Sequence, residues 1–130
     1  MKKILPIFLA ALLLVGCAAP AEEITYRQVN MDEAITMMEE GSGYIILDVR
    51  TPEEFAEKHI PGAINVANET IGTDEIPELP DKDQLILVYC RSGNRSKQAS
   101  EKLVALGYTN IVEFGGINDW PGKTVSGTGL

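Results

Sequence analysis

Residues 88–99 read VYCRSGNRSKQA, and this stretch predicts a strand, a sharp loop and a helix in immediate succession. The apolar run at 85–89 that leads into it is the clearest strand signal in the chain. From Ser96 onward, Ala99, Leu103 and Leu106 recur at helical spacing until Gly107 ends the pattern. Cys90 is therefore expected where a buried strand ends, which is the edge at which open parallel sheets place their ligand sites.

Strand and helix patterns alternate along the rest of the chain. Short apolar runs predict strands at 24–27, 44–47, 63–66 and 111–114, and residues 117–120 a last helical turn. Asn30 with Glu33, and Thr51 with Glu54, have the spacing of capping boxes that begin two further helices. Residues 68–84 are polar, contain Gly and Pro, and predict mostly loop. The alternation predicts one α/β domain whose parallel sheet is covered by helices on both faces.

The N-terminal residues have the pattern of an export signal. Lys2 and Lys3 precede an apolar segment at 4–15, which is shorter than the roughly 20 residues of a membrane-spanning helix. Residues 14–17, LVGC, resemble the lipobox of bacterial lipoproteins. That resemblance implies a signal peptide at 1–16, lipidation of Cys17 and a tether at 17–24. The mature protein would then be extracytoplasmic and anchored to a bacterial membrane, which is the outer membrane or the periplasmic side if the cell has two membranes. Cleavage after Ala21 is the alternative, and it would release a soluble secreted protein without Cys17.

Charge and residue counts exclude several classes of partner. The chain carries a net charge of −8, and without Lys2 and Lys3 nine basic residues face 19 acidic ones, which gives −10. Such a surface repels nucleic acid, so no nucleic-acid partner is expected. His59 is the only histidine and Cys90 the only thiol left after Cys17, so we expect no zinc site. A monomer is expected.

The loop after Cys90 collects groups that stabilise anions. Gly93 can adopt a positive φ and let backbone N–H groups converge on the sulfur. The helix start adds unpaired donors, and Arg91 and Arg95 add full charges. Helix N-termini and cations favour a thiolate, and the same groups would bind an anionic substrate. The remaining loop residues, to which no individual role is assigned, are Ser92, Asn94 and Ser96. A buried structural cysteine is the alternative.

Three segments, in order, resemble the rhodanese family of sulfurtransferases. They are LDVRTPEEFAEKHIPGAINV at 47–66, CRSGNRS at 90–96 and FGGINDW at 114–120. The resemblance covers a rhodanese domain at 25–121 and leaves a tail at 122–130, which we expect to be disordered. It implies a five-stranded parallel sheet with helices on both faces.

The same resemblance implies a double displacement without metal or cofactor. The Cys90 thiolate would take sulfane sulfur from thiosulfate or a related small anion, giving Cys90 persulfide and sulfite. A thiophilic acceptor, cyanide in an assay or a thiol in cells, would then remove the sulfur. Asp48 is implied as a partner of Arg91 in supporting the loop, with Arg50 beside it. Arg95 is then the expected charge at the pocket.

Two other functions stay open. The domain could be a persulfide carrier or binding module with poor thiosulfate turnover. An arsenate reductase or phosphatase of the same fold is less favoured, because those proteins carry a C-x5-R loop, whereas four residues separate Cys90 from Arg95 here. They also usually have His before the cysteine, where this chain has Tyr89. His59 is expected to form a turn hydrogen bond rather than to act in catalysis, and Gly115 and Gly116 to let the chain pass close to the loop.

Overall fold

The sheet has five parallel strands, as the resemblance to the rhodanese family implies. The computed structural model describes residues 25–128, so the signal segment at 1–16, the tether at 17–24 and Cys17 lie outside it. The strands are β1 Arg27–Gln28, β2 Tyr44–Asp48, β3 Ile64–Asn65, β4 Leu85–Cys90 and β5 Ile111–Gly116. They lie in the sheet in the order β1-β5-β4-β2-β3. The helices are α1 Met31–Glu40, α2 Pro52–Glu57 and α3 Asn94–Ala105, with 3-10 turns at Asn68–Thr70 and Ile117–Asp119.

Side-chain capping fixes where the first two helices begin. The Asn30 carboxamide oxygen accepts from the backbone N–H of Glu33 at 2.8 Å, and the Glu33 carboxylate accepts from the N–H of Asn30 at 3.2 Å. Thr51 and Glu54 make the same reciprocal pair at the start of α2. Both predicted capping boxes are confirmed, and each satisfies N–H groups that the first helical turn leaves without partners.

Alternate residues of the central strands pack on opposite faces of the sheet. Leu87 and Tyr89 of β4 join the layer formed with α1 and α2. Ile86, Val88 and Cys90 join the layer formed with α3 and the 68–84 connection. Because strand side chains alternate between faces, Cys90 is on the same side of the sheet as the helix that follows it.

The C-terminal segment corrects the expectation of a disordered tail. Val125 pairs with His59 in an antiparallel bridge, with N–H to carbonyl distances of 2.8 and 2.9 Å. The N–H of Gly127 also donates to the carbonyl of Ala56 at 2.7 Å. Residues 122–128 are therefore attached to the end of α2, because main-chain hydrogen bonds hold a segment whose composition carries no strand signal. Within residues 25–128, no helix is long and apolar enough to cross a membrane.

Candidate active site

Cys90 is the last residue of β4 and is only 1% exposed. The N–H of Gly93 donates to its sulfur at 3.0 Å, and the Ser96 hydroxyl lies 3.4 Å from the sulfur. Gly93 has a φ of 119°, which turns the chain back over the sulfur and lets α3 begin at Asn94, two residues earlier than predicted. Gly93 provides no side-chain cap, so N–H groups of the first helical turn remain available beside the sulfur.

The end of β5 packs closely against the loop that follows Cys90. Val88 pairs with Glu113 but Cys90 pairs with Gly116, so β5 contains one extra residue, with Gly115 at a φ of 98°. Bulges of this kind redirect a strand next to active sites. A Cβ on Gly116 would lie 2.0 Å from the Arg91 carbonyl oxygen. The predicted close approach of Gly115 and Gly116 to the loop is confirmed.

Asp48 does not pair with Arg91, which corrects the first expectation for the charged residues. Its carboxylate instead binds Arg50, with Arg50 Nη2 at 2.7 Å and Nε at 3.0 and 3.1 Å. Both side chains are almost fully buried, and Arg50 also donates to the carbonyl of Lys58. Arg91 turns outward instead, with 66% of its side chain exposed and its Nη1 3.9 Å from the Glu54 carboxylate. The Asp48–Arg50 pair therefore fixes the end of β2 beside the loop rather than the loop itself.

The buried Asp48–Arg50 pair makes a prediction about stability. Asp48→Asn keeps the shape of the side chain but leaves the Arg50 guanidinium buried without its counter-charge, and we expect unfolding to become easier by about 3 kcal/mol. Urea unfolding at neutral pH measures this change. Asp74→Asn, which alters an exposed carboxylate, should change the stability by less than about 0.5 kcal/mol. Equal effects of the two substitutions would contradict the role assigned to the pair.

Arg95 is also placed differently from the prediction, because its guanidinium binds a carboxylate rather than standing free at the pocket. Arg95 Nη1 and Nη2 contact the two oxygens of Glu54 at 2.7 and 3.1 Å. The hydrogen bond from Arg95 is the main reason that the pKa of Glu54 falls to about 2. The pKa of Arg95 is raised, chiefly by the hydrogen bond to Glu54, with smaller contributions from the charges of Glu54 and Cys90. Arg95 thus adds positive potential near the sulfur while it joins α3 to α2.

The lowered pKa of Glu54 predicts how stability depends on pH. A carboxylate whose folded pKa is depressed stabilises the fold above its unfolded pKa, roughly 4.3, and loses that contribution as the pH falls through about 2. After allowance for partial solvent screening, Glu54→Gln should cost about 1–2 kcal/mol at pH 7. The deficit should shrink as the pH is lowered from 4 toward 2. Urea unfolding at several pH values measures it, with the exposed Glu53→Gln as the matched control; a deficit that does not change with pH would contradict the assignment.

Two acidic residues of the site were not identified from the sequence. Glu54 was assigned only to helix capping, and it performs that role while its carboxylate also binds Arg95, 41 residues away. Glu113 was assigned only to a strand, yet it is 2% exposed and its carboxylate accepts a hydrogen bond from Ser96 at 2.5 Å. A glutamate inside a strand buried on both faces is the signal that could have found it.

The other predicted residues lie at or near the loop. Ser96 is fully buried against the sulfur, whereas Ser92 and Asn94 are exposed on the outer side of the loop. His59 is buried, stacks on Phe55 and has Nδ1 2.8 Å from the Phe55 carbonyl oxygen, which confirms the predicted turn hydrogen bond. Among residues 25–128, no three His, Cys, Asp or Glu side chains cluster in an arrangement that could hold a metal ion.

A cleft of about 390 Å³ borders the loop at Arg91. Its walls combine charges of both signs, and the lining residues are Arg50, Glu54, Glu57, Lys58, Arg91, Ile117 and Asn118. Asn118 also donates its N–H to the Arg91 carbonyl at 3.2 Å, which joins the cleft floor to the loop. A small polar molecule in this cleft would lie beside the loop that carries Cys90.

Known proteins are similar to this chain in sequence. The family model described as the rhodanese-like domain matches residues 30–123. The thiosulfate sulfurtransferase PspE of Escherichia coli K12 is 38% identical over 73 residues, 56% of this chain and 70% of that protein. The thiosulfate sulfurtransferase GlpE of Pseudomonas entomophila is 30% identical over 107 residues, 78% of this chain and 94% of that protein.

Solved structures show the same fold. A structure described as rhodanese with anions from E. coli superposes with a TM-score of 0.59 at 36% identity, covering 65% of this chain and 99% of that one. The solution structure of the rhodanese-like domain of the Anabaena Alr3790 protein gives a TM-score of 0.70 at 26% identity, covering 80% of this chain and 82% of that one.

Proposed function

The chain belongs to the rhodanese-like family, and from that premise we propose that it is a sulfurtransferase that carries sulfane sulfur on Cys90. The Cys90 thiolate attacks the outer sulfur of thiosulfate, forms a new S–S bond and releases sulfite as the old S–S bond breaks. Cyanide or a thiol then attacks the outer sulfur of the persulfide, takes it away and restores the thiolate. Every atom is accounted for without a metal or a redox cofactor.

The observation that carries this proposal is the Gly93 N–H that points at the Cys90 sulfur where helix α3 begins. The Gly93 N–H lies 3.0 Å from it, and the uncapped first turn of α3 lies beside it. N–H groups at a helix start stabilise an anion, whether a thiolate or the outer sulfur of a persulfide. The relatives named as thiosulfate sulfurtransferases, and the E. coli rhodanese solved with anions, support an anionic sulfur donor.

The placement of Arg95 favours sulfur transfer over phosphate or arsenate chemistry. A phosphate or arsenate must lie whole inside the loop, clamped by a guanidinium, whereas only the outer sulfur of thiosulfate has to reach Cys90. The guanidinium of Arg95 is already paired with both oxygens of Glu54. Gly93 also lies against the sulfur itself, so the loop encloses one atom closely. The persulfide carrier is the remaining alternative, and it shares the loading step but not rapid turnover.

Intact mass measurement distinguishes these possibilities. The full-length chain, purified in mild detergent, is treated with thiosulfate and then with cyanide, and thiocyanate is followed over time. We expect one added sulfur atom, released over many cycles, with none on protein whose thiol has first been alkylated. Sulfur that loads but does not turn over would assign the carrier function. Failure to load from thiosulfate or from an organic persulfide would refute the proposal.

We also propose that Cys17 is lipidated and holds the domain at the outside of a bacterial membrane. The support is the LVGC sequence at 14–17 after a basic and apolar leader. Metabolic labelling with a fatty-acid probe should mark the protein. Cys17→Ser should lose the label and Cys90→Ser should keep it, so a wild type without label would contradict the anchor.

A further inference from the structure

We propose that Glu113 is a positioning residue that takes the Cys90 thiol proton through the Ser96 hydroxyl. The inference rests on the proposed function only in treating Cys90 as the nucleophile. Cys90 ends β4, Ser96 lies in the first turns of α3, and Glu113 lies on β5, so three neighbouring elements bring the groups together. The sulfur is 3.4 Å from Ser96 Oγ, which is 2.5 Å from Glu113 Oε2.

The surroundings of Glu113 suit an ionised carboxylate without a cation. The residue is 2% exposed, and in the part of the chain that the structure describes no Lys or Arg nitrogen lies within 4.0 Å of it. Three donors point at its oxygens instead: the Gln28 amide at 3.2 Å, the Gly115 N–H at 2.9 Å and the Ser96 hydroxyl. A buried carboxylate is costly unless such donors satisfy it. Of the three donors, the Ser96 hydroxyl is the one from which Oε2 can also take a proton.

The geometry around Ser96 assigns its one hydroxyl hydrogen. Three acceptors lie within reach: Glu113 Oε2 at 2.5 Å, the Gly93 carbonyl at 3.0 Å and the Gly115 carbonyl at 3.3 Å. A hydroxyl donating to an ionised oxygen is expected at 2.5–2.7 Å, so the hydrogen belongs on the bond to Glu113. Ser96 Oγ then offers a lone pair to the S–H of Cys90.

The proton transfer balances within these three residues. The S–H proton passes to Ser96 Oγ while the Ser96 hydrogen passes to Glu113 Oε2. The products are a thiolate and a carboxylic acid, and the total charge does not change. The Ser96 hydroxyl now donates a hydrogen bond to the thiolate, which still accepts the hydrogen bond from the Gly93 N–H. The transfer avoids placing a thiolate and a carboxylate together in a buried site, which would repel each other.

Other charged groups around the pair are few and are placed as follows. Arg95 is paired with Glu54, and the charge of Cys90 is a minor contribution to the raised pKa of Arg95. Arg91 is directed toward solvent. Asp48 and Arg50 neutralise each other on the neighbouring strand. On the side of Glu113, burial followed by the charges of Glu101 and Glu113 raises the pKa of Tyr26. None of these groups bridges Cys90 to Glu113, so Ser96 is the connection.

The test measures the acidity of Cys90 directly, without any sulfur transfer, so its failure is distinct from failure of the proposed function. The full-length chain reacts with iodoacetamide, a neutral reagent for thiolates, across a range of pH. Glu113→Gln should react at least about tenfold more slowly at neutral pH, because the amide cannot take the proton and the thiolate paired with a protonated Glu113 is lost. Its rate should rise in a single step with pH, whereas the wild type should show the two steps of a coupled pair.

The sign of the change separates the relay from simple repulsion. If the Glu113 charge acted only through space, its removal would favour the thiolate, and Glu113→Gln would react faster than the wild type. A faster or unchanged rate therefore overturns the proposal. Glu113→Asp, which keeps a carboxylate, should recover part of the rate. Glu101→Gln removes a charge from the exposed side of α3 and should react as the wild type does.

Removing the connecting hydroxyl provides a second test that does not depend on Glu113→Gln folding. Ser96→Ala should slow alkylation to a similar extent, since the thiolate then loses the hydroxyl that donates to it and that connects it to Glu113. Adding Glu113→Gln to Ser96→Ala should cause little further loss, because residues that act through one another are not additive. Wild-type reactivity in Ser96→Ala, or a full second loss in the double variant, would overturn the relay.

Discussion

Cys90→Ser is expected to abolish the transfer of sulfur from thiosulfate to cyanide while leaving the domain folded. Serine occupies nearly the same volume, and its hydroxyl can still accept from the N–H of Gly93 and contact Ser96. A serine hydroxyl is not ionised by this environment and cannot form a persulfide, so the covalent step is lost. Removal of a nucleophile in this way should reduce thiocyanate formation by at least about 10⁴-fold.

Two measurements separate loss of chemistry from loss of structure in that variant. The intact mass after treatment with thiosulfate should show no added sulfur. The free energy of unfolding, measured by thermal unfolding, should differ from that of the wild type by about 1 kcal/mol or less. Residual turnover of a few per cent would show that sulfur is transferred without Cys90 as carrier. A large loss of stability would instead mean that the thiol is needed mainly for packing, which is the alternative left open by the sequence.

Gly116→Ala is expected to damage both the loop and the stability of the domain. The added Cβ would lie 2.0 Å from the Arg91 oxygen, 2.3 Å from its carbonyl carbon and 2.6 Å from the Ser92 nitrogen. These atoms are backbone and cannot rotate away, so either β5 or the loop must move. The φ of Gly116 is −146°, which any residue adopts, so the effect is purely steric. We expect a loss of about 3 kcal/mol or more in the free energy of unfolding.

Movement of the loop should also reduce the alkylation rate of Cys90 by tenfold or more, because the Gly93 N–H would leave the sulfur. Gly72→Ala is the matched control, since a Cβ at Gly72 meets nothing within 4 Å and its φ is not left-handed. Urea unfolding and iodoacetamide rates measure both variants. A Gly116→Ala protein with wild-type values would show that β5 does not restrain the loop.

The fold and the position of the nucleophile could be predicted because they depend on local patterns. Apolar runs, the caps at Asn30 and Thr51, and the Gly93 turn are each encoded within a few residues, and the structure confirms them. The alternation of strands and helices then leaves one edge of the sheet for Cys90. These features follow from periodicity and backbone geometry alone.

The ionic partners could not be predicted because each depends on a choice among several nearby charges. Asp48 could form an ion pair with either Arg50 or Arg91. It pairs with Arg50, the nearer in sequence, because both side chains can be buried together. Arg95 finds Glu54 across 41 residues, a contact that only the packing of α3 on α2 creates. The attachment of residues 122–128 was missed for a similar reason, since main-chain bonds to Ala56 and His59 hold it rather than its side chains.

The common direction of the five strands places residue 25 and Cys90 at opposite edges of the sheet. Arg27 pairs with Val112, which pairs with Leu87, so residue 25 lies level with the start of β4. Five residues of β4 separate that level from Cys90, a distance of about 17 Å along the strand. Whatever precedes residue 25 therefore joins the domain at the edge of the sheet opposite to Cys90, and the approach to the sulfur is left to the other edge.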